Sequence, residues 1–281
     1  MNNLNNVMNH KKIVFIGGGN MANAIIDGLL KVKHATGLDF EICVSDRNEP
    51  KRQSFIAKGV QAIGPDEAWT VVADADVVVL SVKPQVMKEV CQIIAPHLST
   101  QLVLSVAAGL SVEALQNMLN GYTKIVRSMP NLPSAIGLGA TGLFAHHLND
   151  DDKAIVNAIV SASGLVVWLD DENLMHAVTA VAGSAPAYFF YILENMIEKA
   201  IQMGLDKDSA KALAIQSLIG AGELAKNAEP ATLRAQVTSK GGTTAAALAA
   251  FDEKGLAGAI QDGMDACAYR SRELGGILSQ G

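Results

Sequence analysis

Along the first half of the chain, short apolar runs alternate with stretches whose apolar residues recur every three to four positions. KIVFIG (residues 12–17) reads as a buried strand. NMANAIIDGLLK follows it, with Met21, Ile25, Ile26, Leu29 and Leu30 at helical spacing. FEICVSDR (40–47) predicts a second strand and EPKRQSFIAKGV (49–60) a second helix, with Pro50 at a permitted first-turn position. ADVVVLSV (75–82), QLVLSVA (101–107) and TKIVRSM (123–129) predict further strands, separated by helical patterns in QVMKEVCQIIAPHL and SVEALQNMLN. Ser111 and the acidic residue after it suit a helix start. TGLFA and LVVWLD form a last strand-like pair.

Apolar strands alternating with helices predict a parallel sheet covered on both faces, so the expected fold is an α/β Rossmann-type domain over residues 1–170. From residue 171 the strand signals stop. The text becomes MHAVTAVAG, APAYFFYILENMIEKAIQMG, SAKALAIQSLIGAGELAKNA and then TTAAALAAFDEKGLAGAIQDGMDACAYRSRELG, all of helical character. Gly204 is a fair helix stop, and Asp206 or Asp208 a fair cap for the next helix. Residues 171–281 are therefore expected to form an all-α domain. Its helices are alanine-rich and apolar on more than one face, which predicts pairing with a second copy.

Composition narrows the class. Hydrophobic residues make up 49% and charged residues 18%, a globular balance. The formal net charge of −6 lacks the basic footprint that phosphate backbones need, so nucleic acid is not an expected partner. The three cysteines, Cys43, Cys91 and Cys267, are scattered and show no metal spacing, which fits reduced thiols in the cytoplasm. No metal site is expected. The segment MNNLNNVMNHKK is polar and lacks the apolar core of a signal peptide. The stretch over residues 177–193 is uncharged but short for a bilayer span and broken by Gly183, Ser184 and Pro186; a buried core helix is expected there, and no membrane partner.

The chemistry concentrates in two glycine loops. Gly17, Gly19 and Ala22 match G-x-G-x-x-A directly after a strand and opening a helix, a dinucleotide-binding context with Asn20 and Met21 inside the turn. The helix N-terminus favours the pyrophosphate. The end of the second strand, Val44-Ser45-Asp46-Arg47-Asn48, should read the adenosine ribose. Asp46 would favour NAD, whereas Arg47 with Ser45 and Asn48 makes a phosphate pocket for NADP; the reading leans to NADP, with NAD still admissible. Ser81 and Lys83 follow one hydrophobic strand and Ala107 another, where loops line the ligand crevice. The second loop is VTSKGGTTAAAL (237–248). Ser239, Gly241, Gly242, Thr243 and Thr244 offer backbone N–H groups and hydroxyls at a helix start, a carboxylate-binding nest that needs no arginine; the plain alternative is an N-cap by Ser239 or Thr243.

Taken together, IGGGNMANAI, SVKPQ, SVAAGL, VRSMPNLPSAIGLG, GSAPAYFF and VTSKGGTT resemble the Δ1-pyrroline-5-carboxylate reductase family over nearly the whole chain. The resemblance implies a Rossmann domain joined to a helical dimerisation domain, in a homodimer or a larger ring of dimers. It implies reduction of the cyclic imine 1-pyrroline-5-carboxylate to L-proline with NAD(P)H. By that resemblance Ser239, Gly241, Gly242, Thr243 and Thr244 hold the substrate, with Thr244 and Ser239 catalytic. Gly17 to Ala22, Ser81 and Lys83 hold the cofactor, and Met129, Pro130 and Asn131 lie beside the nicotinamide. Three positions depart from the family pattern: Lys240 stands where proline is usual, Ala185 where glycine is, and Leu132 where threonine is.

A protonated imine is already electrophilic, so positioning carries much of the rate, in keeping with the lack of a His–Asp pair. The six histidines show no motif context. Two rivals make different demands. A β-hydroxyacid dehydrogenase needs a lysine soon after a glycine pair in the first helix of the second domain, but GSAPAYFFYILENMIEK has none before Lys199. A non-catalytic NADP-binding protein would have no use for SKGGTT.

Overall fold

A computed structural model of the chain describes residues 7–280. Of the polar N-terminal segment, residues 1–6 lie outside the described residues, as does Gly281. Eight strands form one sheet: β1 (Lys12–Ile16), β2 (Glu41–Ser45), β3 (Gln61–Ile63), β4 (Val77–Leu80), β5 (Leu102–Ser105), β6 (Ile125–Met129), β7 (Gly139–Phe144) and β8 (Gly164–Trp168). The order across the sheet is β3-β2-β1-β4-β5-β6-β7-β8. Side chains alternate between faces with the period of two that strands impose. Ile13 and Phe15 of β1 join Ile26, Leu29, Val77 and Val79 in one core, while Val14 and Ile16 join Val78, Leu80, Met87 and Ile94 in the other. Burial on both faces explains why β1 and β4 read as unbroken apolar runs.

Strands β1 to β6 are parallel, as the alternation predicts. The strand-like pair TGLFA and LVVWLD extends the sheet, and the parallel pattern breaks there. β7 pairs antiparallel with β6, and β8 then pairs parallel with β7. A five-residue 3-10 helix, Leu132–Ile136, turns the chain back on itself, and so short a connection can only serve an antiparallel neighbour. The helix Asp150–Ser161, capped by Asn149 and absent from the sequence reading, is the crossover that makes β7 and β8 parallel. β3 was also unforeseen; at three residues it is too short to show a pattern.

The cap predicted at Ser111 forms: its hydroxyl accepts from Ala114 N–H at Val112–Met118. Asn48 also caps, accepting from Lys51 N–H at the helix Glu49–Ile56, a role the sequence reading did not give it. Gly204 takes φ +106 and Asp206 accepts from Ser209 N–H. Hydrogen bonds from the Ser209 hydroxyl first, and from its N–H, hold the Asp206 carboxyl below its ordinary range. Cys43 and Cys91 are buried, and burial pushes their thiols up to about 11 and about 12. They are protonated at neutral pH and chemically inert.

The chain divides into two compact units. One runs to Ser184 and takes back the chain from Cys267; the other is Ala185–Ala266, so the division falls later than residue 170. The second unit holds the helices Ala185–Gln202, Lys207–Ala225, Pro230–Gln236 and Thr243–Glu253. Only Ala210 and Ala214 of this unit are buried. The buried core helix expected over 177–193 is therefore corrected: no residue of Ala185–Gln202 is buried within its own chain, and Phe189, Phe190 and Tyr191 stand exposed. By length and composition, Leu174–Gln202 is also long and apolar enough to cross a membrane.

Candidate functional site

The first candidate site lies at the carboxyl ends of the parallel strands, where loops leave the sheet. β1 ends at Ile16 and the chain turns through Gly17-Gly18-Gly19 into the helix Asn20–Thr36. Gly17 has φ +101, and a Cβ there would sit 2.8 Å from the Ser81 carbonyl oxygen, so conformation and space both demand glycine. Its N–H donates to the Ser45 carbonyl at 2.8 Å. Ser81, just past β4, donates its hydroxyl to the Gly17 carbonyl at 2.6 Å and straps the turn to the neighbouring strand. Ser81 thus shapes the loop with the hydroxyl that sequence reading gave to the cofactor.

Gly19 is the N-cap residue, and no side chain caps this helix. The first-turn N–H groups at Asn20, Met21 and Ala22 point to an acceptor outside the chain's own side chains. A methyl at Gly19 would meet only the Ser81 carbonyl oxygen, at 3.7 Å. The protein itself does not exclude a side chain there, so the smallness serves what sits above the helix end. An open, uncapped helix N-terminus behind a parallel strand fits a dinucleotide pyrophosphate. Ala22 is fully buried against the sheet.

The end of β2 differs from expectation in two ways. Ser45 is 3% exposed and its hydroxyl turns towards the Gly64 carbonyl, so it lies under the surface rather than in a phosphate pocket. The Asn48 oxygen serves as a helix cap. Arg47 remains exposed at the turn. Asp46 is engaged within the protein: one carboxylate oxygen accepts from Gly18 N–H and the other from Asn48 N–H, both at 2.7 Å. The carboxylate fastens the glycine loop to β2. Sequence reading missed Arg52, whose guanidinium donates to the Asp46 carbonyl at 2.7 Å and so sits under the same turn as Arg47. Its place one turn into the helix after β2 was the available signal. The two guanidiniums give this turn an anion-favouring edge.

Lys83 is exposed and opens the short 3-10 helix Pro84–Val86, beside the glycine loop's strap. Ala107 is 5% exposed after β5. Met129 ends β6, and Asn131 follows two residues later at the start of the 3-10 helix Leu132–Ile136. Asn131 is buried, and both ends of its side-chain amide are engaged within the protein: Nδ2 donates to the Ala182 carbonyl at 3.1 Å, and Oδ1 accepts from Ala140 N–H at 2.9 Å. Leu132, beside it, is 61% exposed.

The second candidate site belongs to the helical unit. Ser239 to Gly242 turns the chain from Pro230–Gln236 into Thr243–Glu253. Gly241 takes φ +74 and Gly242 is the N-cap, at φ −80 and ψ 170. No side chain caps this helix, so the alternative of a plain cap by Ser239 or Thr243 is not what forms. The Ser239 hydroxyl lies where a Cβ of Gly242 would be, and Ser239 O accepts from Gly242 N–H at 3.0 Å. An uncapped helix N-terminus thus has the Ser239 hydroxyl beside it and Thr243 and Thr244 in its first turn, residue types that suit a carboxylate cradle. Lys240 is exposed next to it. Among the described residues no group of His, Cys, Asp and Glu side chains could hold a metal ion.

Comparison with known proteins bears on both units. Residues 172–274 match the family described as pyrroline-5-carboxylate reductase dimerisation, and residues 12–109 the family NADP oxidoreductase, coenzyme F420-dependent. A pyrroline-5-carboxylate reductase of Haemophilus influenzae is 45% identical over 272 residues, covering 95% of this chain and 98% of the relative. A solved pyrroline-5-carboxylate reductase from Coxiella burnetii superposes with a TM-score of 0.87 at 38% identity, covering 95% of this chain and 99% of that one. The Plasmodium falciparum pyrroline carboxylate reductase with NADP bound gives 0.81 at 25% identity over 95% and 99%. With relatives this similar over nearly their full length, and with both glycine loops in place, the chain belongs to the pyrroline-5-carboxylate reductase family.

Proposed function

We propose that this chain reduces 1-pyrroline-5-carboxylate to L-proline, with NADP(H) as the preferred cofactor. The observation that carries the reading is the pair of uncapped helix N-termini, at Gly19 and at Gly242, in a chain of this family. The first holds the dinucleotide pyrophosphate on the N–H groups of residues 19–22. Arg47 and Arg52 receive the 2′-phosphate of its adenosine ribose, and Lys83 and the small Ala107 lie along the cofactor's path. When bound, the reduced nicotinamide supplies the hydride for C5 of the imine.

The chain's own residues do the rest. N–H groups at Gly241 and Thr243, with the Ser239 hydroxyl, hold the substrate carboxylate in the absence of an arginine. The Thr244 hydroxyl hydrogen-bonds the ring nitrogen, which carries a proton as the carbon accepts hydride and becomes the amine of proline. Holding two rings in register removes most of the entropic barrier, so no strong acid or base is needed. Lys240 adds positive charge beside the bound carboxylate.

The helical unit pairs with that of a second copy in a homodimer, and dimers close into a larger ring. The dimerisation match over 172–274 and the exposed Phe189, Phe190, Leu213 and Ile219 support the pairing. Covering by a second copy, rather than by lipid, is also the reading for the apolar stretch Leu174–Gln202. The protein works in the reducing cytoplasm, which suits the buried free thiols Cys43 and Cys91. Following NADPH and NADH oxidation with pyrroline-5-carboxylate tests the whole reading. Turnover faster with NADPH is the expected result, and no turnover with either cofactor would overturn it.

A further inference from the structure

Between the sheet and the long helix Ala185–Gln202 the chain departs from α geometry. Leu174–Val178 is α-helical, Thr179–Gly183 is a π turn, and Ser184 N–H closes it onto the Thr179 carbonyl at 2.8 Å. The cause is legible in the sequence. In an α-helix the Ala182 carbonyl would accept from the N–H four residues on, and that residue is Pro186. Proline has no N–H, and its ring crowds the carbonyl four residues before it. A π turn widens the helix at that point, and the α-type donor to the Ala182 carbonyl is absent.

The missing donor comes from the sheet. Asn131 Nδ2 reaches the Ala182 carbonyl at 3.1 Å, while Asn131 Oδ1 is held by Ala140 N–H at 2.9 Å on β7. The contact is backed by packing. A Cβ on Gly183 would lie 2.6 Å from Met129 Cε, so the π turn sits directly on the side chain that ends β6. Asn131 is 8% exposed, and its side-chain amide is committed to these two partners.

We propose that Asn131 is a positioning residue for hydride transfer: its side chain locks the proline-induced π turn against the end of β6, instead of binding the cofactor. The lock fixes the Met129–Asn131 segment where the nicotinamide is to lie. It also fixes the turn from which the helical unit continues at Ala185. The inference rests on the reductase reading for its kinetic consequence, though not for its structural one.

The experiment is a cycle of Asn131→Ala, Pro186→Ala and the double variant, with Asn131→Asp alongside. Asn131→Ala is expected to lower kcat by about tenfold or more, because a half-buried carbonyl loses its partner. The Michaelis constant for NADPH should stay within about twofold, since no cofactor contact is lost. Pro186→Ala returns an N–H to the helix, so the double variant should recover most of the kcat and the melting temperature lost in Asn131→Ala. Asn131→Asp keeps the acceptor for Ala140 N–H but turns an acceptor towards the Ala182 carbonyl. Its kcat should rise as pH falls, when the introduced carboxyl protonates and donates again.

A rise in the NADPH Michaelis constant with kcat unchanged would overturn the proposal, by making Asn131 a cofactor ligand. Strictly additive losses in the cycle would overturn it too, by uncoupling Asn131 from Pro186. If Asn131→Ala does not fold, a folded double variant supports the lock, and an unaltered pH profile in Asn131→Asp refutes it. If the wild type turns over no pyrroline-5-carboxylate, the proposed reaction fails, but the cycle in melting temperature still decides the lock.

Discussion

The two glycine loops have nearly the same task and sit in opposite surroundings. The loop at Gly17 is walled in by its own unit: Ser81 straps it, Asp46 fastens it, and Phe55 lies under Gly18. The loop at Gly241 touches almost nothing, and a Cβ at Gly241 would find no atom within 4 Å. The contrast extends to the units that carry them. Strands of the first bury whole apolar runs on both faces, whereas the second buries two alanines and exposes Phe189, Phe190, Tyr191 and Phe251. One unit is finished by its own sequence. The other presents an apolar surface that its own sequence leaves uncovered, which fits the match of residues 172–274 to a dimerisation family.

The largest effect should come from denying the helical unit its partner. Phe190 and Ile219 are each 51% exposed in the single chain. Phe190→Glu with Ile219→Glu would place uncompensated charge in the paired surface, costing about 3 kcal/mol or more for each. Sedimentation should then show monomers, and turnover should vanish while the sheet unit still binds NADPH. Dimers that persist would mean that these helices face solvent in the assembly.

Next in size is Gly17→Ala. Positive φ and a 2.8 Å collision with the Ser81 carbonyl both oppose it, so the loop must shift. NADPH affinity should fall by about 100-fold or more, with strain of roughly 3 kcal/mol visible as a lowered melting temperature. Gly19→Ala sharpens the contrast. Its nearest neighbour would be 3.7 Å away, so the fold should keep its melting temperature while the cofactor is lost. Equal melting losses in both variants would say that Gly19 is structural.

Thr244→Ala should lower kcat by about 100-fold, as for removal of one donor at a reacting centre, with NADPH affinity unchanged. Parallel losses in both quantities would take the hydroxyl away from the substrate. Arg52→Ala and Arg47→Ala should each raise the Michaelis constant for NADPH by about tenfold and leave that for NADH alone, because each removes a charge-assisted bond to a phosphate. If Arg52→Ala weakens both cofactors alike, its bond to the Asp46 carbonyl is its whole role.

How much of this was legible in the sequence follows the same division. β1, β4 and the glycine loop announce themselves because their residues answer to neighbours in the same short stretch: an apolar run, a turn, a helix start. What was hidden depends on partners far along the chain. The direction of β7 is set by a tight 3-10 turn and not by its own residues. Ser45 looked like a phosphate ligand, but the fold buries it and gives its surroundings to Arg52. Asn131 looked like a cofactor contact, and its partner is a carbonyl orphaned by a proline more than fifty residues away. In the helical unit the elements were legible and their burial was not, because a second copy is absent from any single sequence pattern.

The smallest expected effect tests whether the open loop is as unconstrained as it looks. Gly241 has φ +74, where an L residue loses about 1–2 kcal/mol from its own backbone, and nothing within 4 Å adds to that. Gly241→Ala should therefore cost a few-fold in the Michaelis constant for pyrroline-5-carboxylate, with kcat and cofactor affinity nearly intact. Asparagine tolerates left-handed backbone better than alanine does, so Gly241→Asn should be the milder change despite its bulk. The opposite order would show that space decides at Gly241. Since the chain itself leaves that space empty, whatever fills it would have to be substrate or the partner subunit, and the two loops would be alike after all.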